Sequence, residues 1–516
     1  MWFEGLAGLV IERARTCPDV AALRCGQDVS TYRELHVRSD GVAAALTGDG
    51  IEPGSRVAYL GRTAIAFFEV LFGTAKVGAV LVPVNWRLAA PEIAEVLADS
   101  GAELIVVDAE YAPVVGRMRE RLPDLRRVVV STPVGPDAYV EWRDGRREVP
   151  AVLRSAPDEV VLQIYTSGTT GRPKGVMSRN SAFPPYLRAL GKAARIEASS
   201  VSLSTLPLFH IGGIGWALAG LAAGCLTVLE RDAGADALLV AVERRRVTVM
   251  IAVPAVIQSL LDSPRIGTAD VTSLATLYYG GGPITARLLD QALTTLRCDF
   301  VQGFGLTECP LVTVLAPAEH TPELLRSCGR AVPGAAIRIV DPETGDDVAA
   351  GVVGELWVRS PSTMAGYWRQ AEATAATLVD GEWLRTGDAA RVDDGGYVHM
   401  ADRLKDMIVT GGENVYPAEV ENVLTRHPAV AACAVIGVPS RRWTEAVVAV
   451  VVCSPGHVVG EHALIAFCRE RLAGFKTPKA VVVVDELPRT PSGKVMKYVL
   501  KKELADIVDR PGARST

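Results

Sequence analysis

Between residues 31 and 110 apolar runs alternate with helical stretches: a helical stretch, the run 56–60, a helix at 64–77, the run 79–84, a helix at 91–100 and the run 104–107. Strands this continuously apolar are buried on both faces. They predict a parallel sheet covered by helices, a doubly wound α/β layer.

A chain of 516 residues exceeds one ordinary hydrophobic core, so two or three domains are expected. A second α/β stretch covers roughly 200–330. Short alternating segments from about 335 to 400 read as an antiparallel or barrel-like β subdomain. After Asp402-Arg-Leu-Lys405 the pattern changes again: a helix over 417–426, strands at 431–437 and 446–452, a helix over 461–472 and a strand at 480–484. The expected organisation is an α/β chain: a large N-terminal domain, 1–402, of doubly wound sheets plus the barrel-like subdomain, and a small α+β domain, 403–516.

Composition narrows the function classes. With 49% hydrophobic and 22% charged residues and no periodic Gly or Pro, the chain is neither collagen-like, coiled coil nor disordered. A net charge of -5 gives no overall attraction to nucleic acid or an anionic membrane, so any phosphate site is local. Nine scattered cysteines without a C-x-x-C pair suit a reducing cytosol. The opening residues lack the basic head, apolar segment and cleavage site of an export signal, so a cytoplasmic enzyme is expected. Residues 211–229 carry no charge, but five glycines among them, with Pro207 and His210 just before, suit a helix buried against a sheet better than a membrane span. The seven histidines form no metal-ligand pattern, and Cys309 reads as small apolar filler.

The densest chemical signal is Tyr165-Thr-Ser-Gly-Thr-Thr-Gly-Arg-Pro-Lys-Gly-Val176. Gly168 and Gly171 let a backbone approach a phosphate, Thr166, Ser167, Thr169 and Thr170 offer hydroxyl donors, and Lys174 adds a cation. The spacing is not that of the P-loop NTPases, and alone the segment also reads as a surface turn.

Three further motifs follow: Gln302-Gly-Phe-Gly-Leu-Thr-Glu308, Thr386-Gly-Asp388 and Pro491-Ser-Gly-Lys494. Their order resembles that of AMP-forming acyl- and aryl-CoA synthetases, luciferases and peptide-synthetase adenylation domains, the adenylate-forming superfamily, over nearly the whole chain. The resemblance implies the following roles. Phe304, where many relatives carry Tyr, stacks on adenine; Thr307 contacts the α-phosphate; Glu308 holds Mg²⁺; Asp388 takes both ribose hydroxyls, assisted by Arg403. Gly280-Gly281-Gly282-Pro283 forms the adenine-side loop, and Lys494 bridges the acid's carboxylate and the α-phosphate. Lys405 is the hinge about which a mobile C-terminal domain swings, and Gly411 and Gly412 admit the pantetheine arm of CoA. Trp443, preceded by Arg441 and Arg442, matches a position that stacks the CoA adenine, with Lys476 and Lys479 toward its phosphates. His210 lines the acyl site.

The implied reaction is ATP-dependent formation of an acyl-AMP and its conversion to a CoA thioester, with ATP, Mg²⁺ and CoA required. Gly212, Gly213, Gly215 and Gly280 to Gly282 remove side-chain volume near the expected acyl pocket, which favours a long or bulky hydrophobic acid, and Gly305 is expected to line that pocket with His210, Gly213 and Gly280. No acidic residue is placed for an α-amino group. Transfer to an acyl carrier protein is the alternative; the segment that fatty acyl-AMP ligases insert is absent between 354 and 388. A silent nucleotide-binding protein would have lost Lys494, Glu308 or Lys174, all present here, and a luciferase-type oxygenase would start from the same adenylate. Nucleic acid and membrane are not expected partners; the oligomeric state is open, a homodimer included.

Overall fold

The computed structural model describes residues 3–508 except 133–135, 146–155, 168–172, 232–233, 283, 285, 322, 325–326, 342–343, 404–407, 416, 489–494, 496 and 506. By internal contacts the chain divides into two compact units. One comprises residues 1–86, 97–165 and 175–402; the other comprises 87–96, 166–174 and 403–516.

The alternation near the N-terminus becomes the strands Arg56–Leu60, Val80–Pro83 and Ala102–Asp108 of the first unit, with the helix Ile65–Lys76 after the first strand and the helix Ala90–Ser100, whose residues up to 96 count with the second unit, before the third. These strands pair in parallel, as the crossover helices require. Among the described residues they belong to a seven-stranded sheet running from Gly366–Tyr367 to Arg127–Ser131. The preceding helix, Tyr32–Gly48, starts on a capping box: Thr31 Oγ1 accepts from Glu34 N at 3.2 Å and the Glu34 carboxylate accepts from Thr31 N at 2.8 Å. Lys76 ties it to the next helix, its buried ammonium donating to Asp40 Oδ1 and Ser39 Oγ at 2.6 Å and to His36 Nδ1 at 2.9 Å.

A second sheet, nine-stranded among the described residues, is parallel from Thr276–Gly280 to Ala21–Cys25. Its Ala21–Cys25 and Asp28–Thr31 strands lie before the region where the alternating pattern starts, and they enter by pairing with Leu226–Leu229, about two hundred residues later. The uncharged stretch after His210 is the 13-residue helix Ile211–Ala223, ended by Gly224 at φ +85°. Among the described residues no helix is long and apolar enough to cross a membrane. Residues 336–403 form an antiparallel five-stranded sheet among the described residues, with Gly354–Arg359 and Trp383–Val392 at its centre.

In the second unit, residues from 408 onward build a mixed sheet around the long hairpin Val430–Ser440 and Thr444–Cys453. Ala480–Val483 joins it in parallel and the helices Pro417–Leu424 and Glu461–Arg469 cover one face. A small α+β fold results.

Candidate active site

The Gln302–Glu308 motif is the end of one strand and the turn after it. Asp299–Leu306 pairs in parallel with Thr276–Gly280 and antiparallel with Cys309–Leu315, where Leu306 faces Cys309. Thr307 and Glu308 are therefore the two turn residues of a hairpin, projected from the end of a rigid sheet. The glycines of the motif serve this pairing. A Cβ on Gly303 would fall 1.6 Å from Tyr278 Oη, one on Gly280 2.3 Å from Gly303 O, and one on Gly305 2.2 Å from Pro310 O.

This corrects the sequence reading of the acyl-pocket glycines. The space beside Gly280 and Gly305 is filled by backbone, as is that beside Gly213, whose Cβ would lie 2.3 Å from Pro207 O; beside Gly215 it holds the Tyr186 hydroxyl. What these residues allow is close approach of chain to chain, not an enlarged cavity. Gly281 does require its lack of a side chain for conformation, at φ +75°.

Glu308 is gripped twice by one segment. Met364 N donates to Glu308 O at 2.8 Å, and the Tyr367 hydroxyl donates to Glu308 Oε1 at 2.7 Å. Cys309, next in the chain, is fully buried, and burial pushes its thiol up to about 11, which leaves it inert as a nucleophile.

Asp388 sits where Trp383–Val392 bulges. Glu355 pairs with Ala389 and Trp357 with Arg385, so three residues, Thr386 to Asp388, oppose the single Leu356. Gly387 at φ +72° permits the bulge, and Thr386 fills it, donating to Leu356 O at 2.7 Å and accepting from Asp388 N at 3.1 Å. The Gln302–Glu308 motif and this bulge are neighbours. Phe304 faces Thr313 across the hairpin, Thr313 Oγ1 donates to Cys328 O at 2.6 Å, and the Cys328 thiol, raised to about 11 by burial above all, also feels the Asp388 carboxylate. At the start of the motif, Gln302 Oε1 lies 3.3 Å from Tyr279 Oη, which lies 3.1 Å from His320 Nε2.

His210 is the N-cap of the helix Ile211–Ala223, with its ring 4.6 Å from that of Phe209. Phe209 packs edge-on at 6.2 Å against Trp86, which also meets Tyr111 at 6.4 Å and carries the Arg62 guanidinium over its face at 4.7 Å. The sequence reading found His210 but not this aromatic wall, since Trp86 and Tyr111 lie in ordinary loop sequence far from any motif.

The second unit carries the remaining candidates. Thr166 and Ser167 end the strand Val160–Ser167 and Lys174 lies in the strand Pro173–Arg179; Gly168, Thr169 and Thr170 lie outside the described residues, as do Lys405 and Lys494. Arg403 ends the strand Val398–Arg403, and only its main chain is described. Gly411 and Gly412, at φ +58° and +82°, are the two central residues of the hairpin in which Thr410 faces Glu413. Positive φ at both positions is the twist-matched type I′ turn, which glycine pairs favour. Gly411 N donates to Trp443 O at 2.7 Å. The Trp443 indole is flanked by Arg442 at 4.6 Å and Lys479 at 5.1 Å. Burial lowers the Lys479 ammonium below its usual range, and Arg469 and Arg442 add to that, so this corner is electropositive.

Lys476 departs from the sequence reading. It is 5% exposed, and its ammonium donates to Glu419 Oε1 at 2.6 Å and Glu92 Oε1 at 2.9 Å. Burial alone would depress it, but the two carboxylates together raise it. A lysine so enclosed is a structural ion pair, not a surface contact for CoA phosphates.

Two family descriptions match the chain: AMP-binding enzyme over residues 10–368 and AMP-binding enzyme C-terminal domain over residues 419–494. The chain is 40% identical to the fatty acid–[acyl-carrier-protein] ligase ScoC of Streptomyces coeruleorubidus, covering 94% of this chain and 93% of that one. It is also 40% identical to a feruloyl-CoA synthase of Amycolatopsis sp, covering 97% and 99%. Among solved structures, the amide bond synthetase McbA of Marinactinospora thermotolerans superposes with a TM-score of 0.87 at 32% identity, covering 97% of this chain and 99% of that one. With both halves of the chain matched and relatives aligned end to end, the protein belongs to the AMP-binding enzymes and is an AMP-forming acid–thiol ligase of the adenylate-forming superfamily.

Proposed function

We propose that the enzyme is an acyl-CoA synthetase for a neutral, hydrophobic carboxylic acid, medium- or long-chain or bulky. The observation that carries the adenylation half is the arrangement of the 299–315 hairpin beside the 386–388 bulge: an aromatic face at Phe304, a hydroxyl and a carboxylate at the Thr307-Glu308 turn, and the Asp388 carboxylate, linked through Thr313 and Cys328. An adenosine phosphate asks for these groups in this order.

In the first step a carboxylate oxygen of the acid attacks the α-phosphorus of ATP and pyrophosphate leaves. Two anions must meet, so fixed positive charge and hydrogen-bond donors count most. Phe304 stacks the base with Gly281 and Gly282 behind it, Asp388 and Arg403 hold the ribose, and the 166–170 loop with Lys174 surrounds the outgoing phosphates. Thr307 and Lys174 steady the phosphoryl oxygens, and Lys494 bridges them to the acid. Glu308 fits Mg²⁺: a hard cation on a nucleotide takes one or two protein carboxylates plus phosphate oxygens, and this carboxylate is already fixed by Tyr367. Bound there, the ion would neutralise charge building on the phosphates.

In the second step the thiol sulfur attacks the acyl carbonyl and AMP leaves. The Gly411-Gly412 turn and Trp443 stand for the pantetheine passage and the CoA adenine, and a hinge at Lys405 within a mobile 403–516 domain would exchange Lys494 for that turn. The hydrophobic acid is supported by the Phe209, Trp86 and Tyr111 wall beside His210. It is supported too by relatives named for ferulate, indoleacetate and long-chain fatty acids.

A carrier-protein acceptor is the second reading, favoured by the 40% identity to a fatty acid–[acyl-carrier-protein] ligase. The test is to incubate the protein with ATP, Mg²⁺ and a panel of aliphatic, aryl and polycyclic acids, with CoA, with a phosphopantetheinylated carrier protein, or with neither, and to read products by mass spectrometry. Acyl-AMP without thiol and acyl-CoA with CoA is the expected result. Adenylate that leaves only on the carrier protein would replace the proposed acceptor, and no adenylate from any acid would overturn the proposal.

A further inference from the structure

We infer that Tyr367 is a positioning residue for the metal-binding carboxylate, an inference that rests on the proposed role of Glu308. The two residues are 59 apart in sequence, yet the Tyr367 hydroxyl donates to Glu308 Oε1 at 2.7 Å. That length is that of a well-formed O–H···O hydrogen bond.

The surroundings over-determine where the hydroxyl sits. Gly366 and Tyr367 pair antiparallel with Met177 and Val176. Ala365 N donates to Met177 O at 2.7 Å and Trp368 N to Gly175 O at 2.8 Å. Tyr367 N donates to Thr374 Oγ1 at 2.9 Å, and Thr374 is itself held by Gln370 O at 2.8 Å. Gly366 is glycine because a Cβ would lie 2.8 Å from Thr374 Cγ2, at a φ of +143°. The Tyr367 ring is buried in the cluster formed with Val176, Cys309 and Met364, so only its hydroxyl reaches Glu308.

A turn residue with a flexible three-torsion side chain would otherwise sample many rotamers. The segment 364–367 removes that freedom by holding Glu308 at its carbonyl and at one carboxylate oxygen. A single electron-rich oxygen is then presented for a cation, and the energy of ordering the side chain is spent in folding, before nucleotide arrives. The segment that holds Glu308 is also hydrogen-bonded to Gly175, the residue after Lys174. Tyr367 touches neither substrate nor metal in this scheme. It acts through Glu308.

Calorimetric titration of ATP with and without Mg²⁺, on wild type, Tyr367→Phe, Glu308→Gln and the double variant, tests this without turnover. Losing a hydrogen bond to a charged group weakens binding about tenfold, so Tyr367→Phe should raise the Mg²⁺ needed for half-maximal ATP binding by about that factor. Binding of metal-free ATP should stay as in wild type, the melting temperature should fall by no more than the loss of one hydrogen bond, and the double variant should be no worse than Glu308→Gln. Tyr367→Phe with wild-type Mg²⁺ dependence beside an impaired Glu308→Gln overturns the inference and leaves the site reading standing. Glu308→Gln with wild-type Mg²⁺ dependence overturns the site reading and the inference with it. Equal loss with and without metal would mean that Tyr367 only supports the fold, which also overturns the inference.

Discussion

Thr386 holds the main chain of Asp388: its hydroxyl accepts the Asp388 N–H at 3.1 Å while donating to Leu356 O at 2.7 Å. The hydroxyl substitutes for ladder partners that the bulge removes, so the carboxylate leaves the strand in one direction. Valine at 386 keeps the volume and β-branch but removes the hydroxyl that accepts the Asp388 N–H. A typical hydrogen bond is worth about 1 kcal/mol, so Thr386→Val should raise the KM for ATP about fivefold. Asp388→Asn should do more, because in the proposed role this carboxylate accepts from the ribose directly. An unchanged KM for ATP in both variants, measured by pyrophosphate exchange, would remove Asp388 from the nucleotide site.

Lys476 separates a structural from a functional reading by a single substitution. Its ammonium lies between Glu92 and Glu419, whose carboxyl is raised by burial and held down by Lys476. Lys476→Met leaves two buried acids without a cation, and breaking a buried pair in this way costs about 3–5 kcal/mol. The expected result is a large fall in denaturant midpoint. A stable variant with a raised KM for CoA would instead restore the phosphate-contact role expected from sequence.

These cases mark what the sequence makes legible. Apolar runs at 56–60, 79–84 and 104–107 are visible because a buried parallel strand leaves no choice of residue, and they appear as strands close to those bounds. The pairing of Ala21–Cys25 with Leu226–Leu229 is invisible because its signal is divided between segments two hundred residues apart. Phe304, Glu308 and Asp388 stand in short motifs whose glycines are required by close strand pairing in one case and by a bulge in the other. Tyr367 does not, since its significance is a contact 59 residues away and its own neighbourhood reads as plain strand. Lys476 misleads for the opposite reason: a lysine close in sequence to Lys479 suits a phosphate until the two acids around it are seen. The glycines near His210 were legible as necessary but not as to why, because a missing side chain can open a cavity or admit a backbone, and only the neighbours decide.

The Gly411-Gly412 turn offers a way to separate the two chemical steps. Both residues have positive φ, where an L side chain costs about 1–2 kcal/mol, while a Cβ on Gly411 would only touch Trp443 Cε3 at 3.7 Å. Gly411→Ala should therefore fold with a modest loss of stability. If the turn borders the thiol's path, acyl-AMP formation without CoA should stay at the wild-type rate while thioester formation slows. Parallel loss of both steps in a stopped-flow assay would argue that the turn matters only for folding.

Acid sensitivity follows from two half-buried imidazoles. Burial lowers His320 below its ordinary 6.5, and burial followed by the Lys76 charge lowers His36. Each is held as the neutral ring. His320 Nδ1 faces the Ala316 carbonyl at 3.0 Å and so carries the proton, leaving Nε2 to accept from Tyr279 at 3.1 Å; His36 Nδ1 accepts from the Lys76 ammonium at 2.9 Å. With folded values depressed, the unfolded chain takes up protons first as pH falls. The stability these rings contribute is therefore complete above pH 6.5 and is lost progressively as pH drops below it. Urea midpoints measured stepwise from pH 7.5 downward should decline below that point, partly opposed for His36 by the nearby Asp40 carboxylate. His320→Gln should flatten part of the slope without steepening the rest. A slope identical to wild type would mean that the Tyr279–His320 contact next to Gln302 does not fix the ring's protonation state.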